Sequence, residues 1–332
     1  MAALMKTFVR VAEVWTPTAD GSLLEVSAGL FDAAPAFGAI TAFGAISRTM
    51  CFGRGEGLPG RAWNEGRPVL LKNFDGGYFR RAAVAKSAGL SCAVALPIFL
   101  GDRLTCVVVL FCGDVQAQVG AIELWHNDPR VTSDLKLADG YFGATATDLE
   151  ALTRDGALAR GIGAPGLAWQ REASVFVDNV AESRHFLRAE VAASAGILRA
   201  LAVPCSTADS GTAGSAGTWV LCLLASAGSP IAQRVESWQA NPAGTTLHRT
   251  YGHCETLGPL PAGAHGPSIP VGASNTSANT DASASAIASA WRSGAAQAAS
   301  GTAAAAAPGP QAVLCLPVIG DGAVVEVLAL YF

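Results

Sequence analysis

The chain says the same thing twice and, more faintly, a third time. Gly57-Leu58-Pro59-Gly60-Arg61-Ala62-Trp63 recurs as Gly163-Ala164-Pro165-Gly166-Leu167-Ala168-Trp169, and the stretch 79–89 recurs as 186–196. A period of about 110 residues is the size of a small domain, which points to tandem modules rather than a solenoid of short units. The 332 residues hold three such modules, expected at 1–117, 118–230 and 231–332.

Each repeat opens on a short apolar strand carrying the same spacing: Glu13-Val14-Trp15, Glu123-Leu124-Trp125 and Glu236-Ser237-Trp238. The Glu two before each Trp fits a strand whose two faces differ. A turn and a second strand follow, giving an antiparallel hairpin. The Gly-Pro segment then starts a short helix carrying Trp63 or Trp169, where proline suits the first turn and glycines supply the tight bend. A strand (68–71 or 174–177) leads to a second helix ended by Gly89 or Gly196. Two long apolar strands close each unit around Pro97, Pro204 and Pro317, with a small-residue insertion at 207–218 in the second.

The third copy is eroded in its middle. Residues 262–310 are mostly Ala, Ser, Gly, Thr and Pro without apolar periodicity, so this insertion is expected to be mostly disordered. Within it, 287–297, with Trp291 and Gly294, reads as a remnant of the Trp63 helix.

Composition narrows the partners. Hydrophobic residues are 51% and charged residues 14%, so the surface carries little charge and self-association is favoured. A net charge of -4 without a long basic run argues against nucleic acid or an anionic membrane as the main partner. The apolar stretch 93–111 is broken by Gly101-Asp102-Arg103, and 313–332 by Gly320-Asp321-Gly322, so both read as strand–turn–strand rather than membrane spans. The start, with Lys6 and Arg10, shows no signal-peptide core, and a cytoplasmic location is expected. The 8 cysteines include no Cys-x-x-Cys and fall at different offsets in the three copies. They read as small buried hydrophobes in a reducing compartment.

The hairpin, the Gly-x-Gly-Leu-Pro-Gly-x-Ala-Trp stretch, the Ala-rich helix ending in Gly and the Ser91-Cys92-Ala93-Val94-Ala95-Leu96-Pro97-Ile98 strand with its partner together resemble a GAF domain. The likeness covers the first copy nearly throughout, the second almost as well, and the third at its two ends. It implies an α+β fold: tandem units, each a central antiparallel sheet flanked by helices, with a pocket on one face. It further implies a sensory module that binds a small molecule and often dimerises. Fold analogy does not choose the ligand. The Cys-His pair of bilin-binding members is absent, and Lys72-Asn73-Phe74-Asp75 departs in order from the cyclic-nucleotide pattern. His126 has no constellation that would make it a haem ligand. No cofactor and no metal is therefore assigned.

Gly55-x-Gly57-x-x-Gly60 and Gly161-x-Gly163-x-x-Gly166 match the dinucleotide fingerprint in spacing. Pro59 sits inside the first and no βαβ unit follows, so both read as a turn and the start of a helix. The candidate ligand-binding residues are Trp63, Phe79, Arg81, Trp169, Phe186 and Arg188. The tryptophans would stack on a planar ligand or else cover the sheet as core. Arg81 and Arg188 would meet an anionic ligand or else pair with Asp75 and Asp178.

Three functions stay open, and none assigns a catalytic residue except the last. One is a small-molecule-sensing regulatory module acting on a partner in trans or as a homodimer. Another is a ligand-free interaction scaffold, its pockets collapsed around alanines such as Ala82, Ala83, Ala85 and Ala88. The third is a thiol enzyme of the GAF lineage that reduces methionine sulfoxide, using Cys51 and Cys92.

Overall fold

The strands around Pro97, Pro204 and Pro317 are apolar at nearly every position, and only a sheet covered on both faces satisfies such a pattern. The computed structural model describes residues 6–31, 38–75, 77–113, 119–143, 147–208, 217–272, 281–300 and 312–332. It resolves the pattern into three antiparallel sheets. The first contains β1 (Val9–Pro17), β2 (Leu23–Gly29), β3 (Cys51–Gly53), β4 (Val69–Leu71), β5 (Cys92–Leu100) and β6 (Arg103–Cys112), in the order β3-β2-β1-β6-β5-β4. The second contains β7 (Gly120–His126), β8 (Leu135–Tyr141), β9 (Ala157–Leu158), β10 (Val175–Val177), β11 (Arg199–Cys205) and β12 (Trp219–Ala225). Read from β9, its order is β9-β8-β7-β12-β11-β10, the same arrangement. The third contains β13 (Arg234–Ala240), β14 (Thr246–Cys254), β15 (Gly258–Pro259), β16 (Ser268–Pro270), β17 (Gln297–Ser300), β18 (Ala312–Gly320) and β19 (Ala323–Tyr331). Its order is β15-β14-β13-β19-β18-β17, with β16 added against β14. The fold is α+β, with central antiparallel sheets flanked by helices.

A bulge falls at the same point in all three sheets. The register of β1 with β2 shifts between Val14 and Trp15, that of β7 with β8 between Leu124 and Trp125, and that of β13 with β14 between Ser237 and Trp238. Each bulge re-aims the strand just where the tryptophan turns into the helix-covered side.

Helices cover one face of each sheet. The first unit has α1 (Ala39–Ser47), α2 (Gly57–Glu65) and α3 (Ala82–Ser87); the second has α4 (Thr147–Asp155), α5 (Gly163–Arg171) and α6 (Ala189–Ser194). Sequence reading placed no helix at α1 or α4. The glycines of the Gly-Pro segment have a steric purpose. A Cβ on Gly60 would lie 2.1 Å from the Gly53 carbonyl oxygen, and one on Gly166 would lie 2.4 Å from that of Ala159. The helix can rest on the preceding turn only where those side chains are missing.

The third unit corrects the expectation for 262–310. Residues 273–280 and 301–311 lie outside the described residues, as do 114–118 and most of the 207–218 insertion. Between them, however, stands a 12-residue helix, α7 (Ala282–Ser293). Asp281 caps its start by accepting from the Ser283 N–H, and Gly294 ends it in the left-handed conformation at φ 63°. Ile287, Ala286, Ala288 and Ala290 are buried beneath it. Alanine is the strongest helix former, and its small side chain lets the helix lie close on the sheet. Packing supplied what the missing apolar periodicity could not. Trp291 precedes Gly294 by three residues, as Trp63 precedes Gly66 and Trp169 precedes Glu172, the corresponding left-handed caps.

The opposite faces of the three sheets meet one another. Val94, Leu96, Val108 and Leu110 of the first, Leu124, Leu201, Leu221 and Leu223 of the second, and Leu314, Leu316, Leu328 and Leu330 of the third form one shared core. The alternate residues of the same strands face three separate helix-side cores.

The units also touch in a closed circle. In the first, the Gly66 carbonyl accepts from Ala208 N–H at 3.1 Å, and Arg67 lies over the Trp219 ring of the second. In the second, Ser174 donates its N–H to Glu326 of the third at 2.6 Å. In the third, the Gly294 carbonyl accepts from Thr105 at 2.6 Å, and Ala296 N–H points at Cys106 of the first. Each contact joins the end of one unit's Trp-bearing helix to the closing hairpin of another. It is the head-to-tail interface that closes a cyclic trimer, here within a single chain.

Two substitutions test this reading of the helix ends. Gly60→Ala forces its Cβ against backbone and is expected to cost about 2–3 kcal/mol in urea unfolding. Glu172 is a non-glycine residue at φ 52° where the other two units have glycine. Glu172→Gly is therefore expected to stabilise by about 0.5–1 kcal/mol. A neutral Gly60→Ala or a destabilising Glu172→Gly would contradict it.

Candidate functional site

The repeated Glu-x-Trp motif builds the most polar feature of each interior. Two residues apart on a strand, the pair shares a face, and the glutamate is buried in all three units. In the first, Trp15 Nε1 donates to Glu13 Oε2 at 2.9 Å, and Arg81 from the start of α3 forks onto both carboxylate oxygens, Nη2 at 3.0 Å. Ser47 of α1 stands 2.7 Å from Oε1. In the second, Trp125 donates to Glu123 at 2.8 Å, and Arg188 chelates the carboxylate at 2.5 and 2.9 Å. Thr153 of α4 replaces Ser47 beside the guanidinium. Burial alone would lower the Arg188 pKa, but the Glu123 carboxylate outweighs it and holds the value raised.

No helix supplies an arginine to Glu236 among the described residues of the third unit. The strands do so instead. Arg249 of β14 donates at 2.5 Å, Tyr331 of β19 at 2.9 Å and Trp238 at 3.1 Å. The carboxylate is satisfied three times by three different sets of partners.

These clusters account for most of the candidate residues named from sequence. Arg81 pairs with Glu13 and not with Asp75, which takes Lys86 instead. Arg188 pairs with Glu123 and not with Asp178, whose carbonyl accepts from Arg199. The face-sharing Glu in the Glu-x-Trp repeat was the signal for this, and sequence reading used it only as a sign of strand alternation. Phe79 is buried and stacked on Phe74 at 4.8 Å, with Phe111 beyond. The Arg81 guanidinium lies 4.5 Å from the Phe43 ring centre. Phe186 is likewise buried, against the guanidinium of Arg188. Trp63 packs half-buried on the helix-side core of its unit, and Trp169 on its own. The helix side of the first sheet, where the resemblance places a pocket, is thus filled by aromatic rings around an ion pair.

Open space lies between the units. A cavity of about 370 Å³ separates β10 and its approach, Ser174 and Phe176, from β13 and β14, which contribute Ser237, Gln239, Thr250 and Tyr251. Val235 and Leu328 form its apolar floor, and Arg171 reaches it from the end of α5. A second cavity, of about 280 Å³, lies where the three closing hairpins converge. Trp169 lines it with Glu172 and Asp321, the two non-glycine residues with left-handed backbone among those described.

The two thiols named from sequence, Cys51 and Cys92, do not come together; Cys92 faces Cys112 across the β5–β6 ladder instead. Cys51 is exposed on β3, whereas Cys92 is buried on β5 facing the shared core. Four strand steps separate β3 from β5 in the sheet, roughly 19 Å at about 4.8 Å per step. That distance overturns the pairing expected for a thiol enzyme. Burial pushes the Cys106 thiol up to about 11 and Cys205 to about 12, which keeps both protonated. Among the described residues no group of three or more His, Cys, Asp or Glu gathers as metal ligands would, and no helix is long and apolar enough to cross a membrane.

No known family profile and no curated protein matches the chain. Among solved structures it is similar to the GAF domain of nlh2 from A. aeolicus in an inactive state, at 16% identity and a TM-score of 0.25. That match covers 32% of this chain and 60% of the other. It is also similar to NreA from Staphylococcus aureus mutated in its nitrate binding site, at 14% identity and a TM-score of 0.24, over 31% of this chain and 72% of the other. Both likenesses concern about a third of the chain.

The buried ion pairs set one expectation. Arg81→Met strands a buried carboxylate and should cost about 3–5 kcal/mol, while Glu13→Leu combined with Arg81→Met should recover most of it. Equal losses in the single and double variants would show that the pair itself holds the unit together.

A second expectation concerns acid. His253 is buried against Phe176 with both ring nitrogens lacking a hydrogen bond, and burial lowers its pKa, opposed by Glu255 at 3.8 Å. A histidine lowered in the folded state contributes stability that is complete above the ordinary value of 6.5 and lost as pH falls below it. His253→Phe should flatten the loss of melting temperature between about pH 7 and pH 5. An unchanged pH profile would count against it.

Proposed function

We propose that the chain is a non-catalytic, small-molecule-binding regulatory module of three GAF-like domains, 1–117, 118–230 and 231–332, whose ligand lies between the second and third. The cavity of about 370 Å³ carries this reading. It lies within the range of small-molecule sites, joins an apolar floor to several polar side chains, and rests on strands of two sheets. Among the described residues, Phe43, Phe74, Phe79 and Phe111 pack around Arg81 on the helix side of the first unit. A ligand wedged between two units would alter how they sit against each other, and that change is what a partner in trans or a second copy could sense.

Screening a panel of small metabolites against the full chain tests the reading, by native mass spectrometry and thermal melting. A true ligand at a hundred times its Kd should stabilise by about 2.7 kcal/mol, and Gln239→Trp, which fills the cavity, should abolish the effect. A panel that neither adds mass nor shifts melting removes this proposal. The filled helix-side core of the first unit favours a second reading, a ligand-free interaction scaffold. Light scattering decides it, since a strict monomer would oppose the scaffold.

A further inference from the structure

We infer that the cavity between β10 and the β13–β14 pair takes a small planar carboxylate that also carries an N–H or O–H donor. This rests on the reading just proposed and adds the chemistry of the ligand. Several polar atoms on the walls are already engaged. Ser174 gives its hydroxyl hydrogen to the buried carboxylate of Glu326. Ser237 Oγ and Thr250 Oγ1 lie 2.9 Å apart, with the Ser237 carbonyl 3.3 Å from Thr250 Oγ1, so at least one of these two hydroxyl hydrogens is engaged within the pair. Ser174, and whichever of Ser237 and Thr250 donates within the pair, keep only lone pairs for a visitor and need a donor from it.

The remaining polar groups are of the other kind. Arg171 is exposed at the rim and, among the described residues, has no ion-pair or hydrogen-bond partner. It is the one charged side chain on the lining, and a guanidinium can only donate. The Tyr251 hydroxyl and the Gln239 carboxamide are likewise without protein partners. Desolvation raises the pKa of Tyr251, reinforced by Asp178 and Glu255, so its phenol stays protonated and can donate. Cation and free donors thus call for an anionic acceptor, while the engaged hydroxyls call for a donor elsewhere on the same molecule.

Shape supplies the third requirement. Phe176 and Tyr251 present tilted rings 5.7 Å apart, and Val235 and Leu328 close the floor. A flat, unsaturated body fits such walls with little ordering of its own. Asp178, Arg199 and Glu255 act electrostatically on Tyr251 but do not line the cavity, and Arg199 is paired with Glu255 at 2.8 Å; Arg171 is the charged side chain on the lining.

Isothermal titration of the full chain with 4-aminobenzoate, benzoate and 4-aminobenzamide separates the three requirements. The aminobenzoate should bind about tenfold tighter than the aminobenzamide, which lacks the charge, and about fivefold tighter than benzoate, which lacks the donor. Arg171→Gln should erase the preference over the amide while leaving the amide's own affinity unchanged. Equal affinities in the parent chain, or a charge preference that survives Arg171→Gln, would overturn the assignment. If none of the three binds while another panel compound does and is blocked by Gln239→Trp, the carboxylate class fails and the binding module stands. If nothing binds at all, both fail.

Discussion

The central strands of this chain are apolar on both faces, and every larger feature follows from the need to cover them twice. A sheet with one wet face would alternate, yet β5 and β6 are buried from end to end except at their shared turn. Helices cover one side, packing Trp15, Phe43 and Phe111 above the first sheet. Among the described residues the other side has no helix to meet it, so the three sheets cover each other, and Leu110, Leu223 and Leu330 share one core. An isolated unit would expose that whole apolar face to water, and burying it accounts for the closed circle of contacts.

Within that frame each unit buries one glutamate and neutralises it. Such a pair adds little net stability, because desolvating the charges offsets much of their attraction. What it does is orient. Glu13 fixes Trp15 on its own strand, Arg81 at the start of α3 and Ser47 at the end of α1 with one carboxylate. The third unit shows that the acid is the constant and its partners are exchangeable, since Arg249 and Tyr331 reach Glu236 from neighbouring strands. A cavity is found where the symmetry between the units breaks. The interface of the first and second units is bridged by Lys72 and Asp139, whereas the corresponding one beside Tyr251 is left open.

Much of the fold was legible beforehand, and for identifiable reasons. Pro97, Pro204 and Pro317 marked equivalent hairpins, and the Gly-Pro segments marked helix starts that only glycine could bring so near the preceding turn. The helices α1 and α4 were not read because their faces are set by what lies beneath them. Of α7, the second half was read as a helix remnant over 287–297 and the first half was missed, because alanine carries helix propensity without any apolar period. Of the candidate residues, Arg81 and Arg188 were rightly singled out as equivalent, but no local pattern announces that their partners lie 68 and 65 residues earlier in the chain.

The amino-acid sequence alone determined the three-fold recurrence, the antiparallel strands and the short helices at the Gly-Pro segments, because propensity, turn chemistry and periodicity are local properties. Only the tertiary structure decided which face of each sheet meets the others, which carboxylate receives each arginine, and that a cavity lies between the second and third units. Those outcomes depend on surfaces distant in the chain coming together, and their complementarity exists only after the chain has closed on itself.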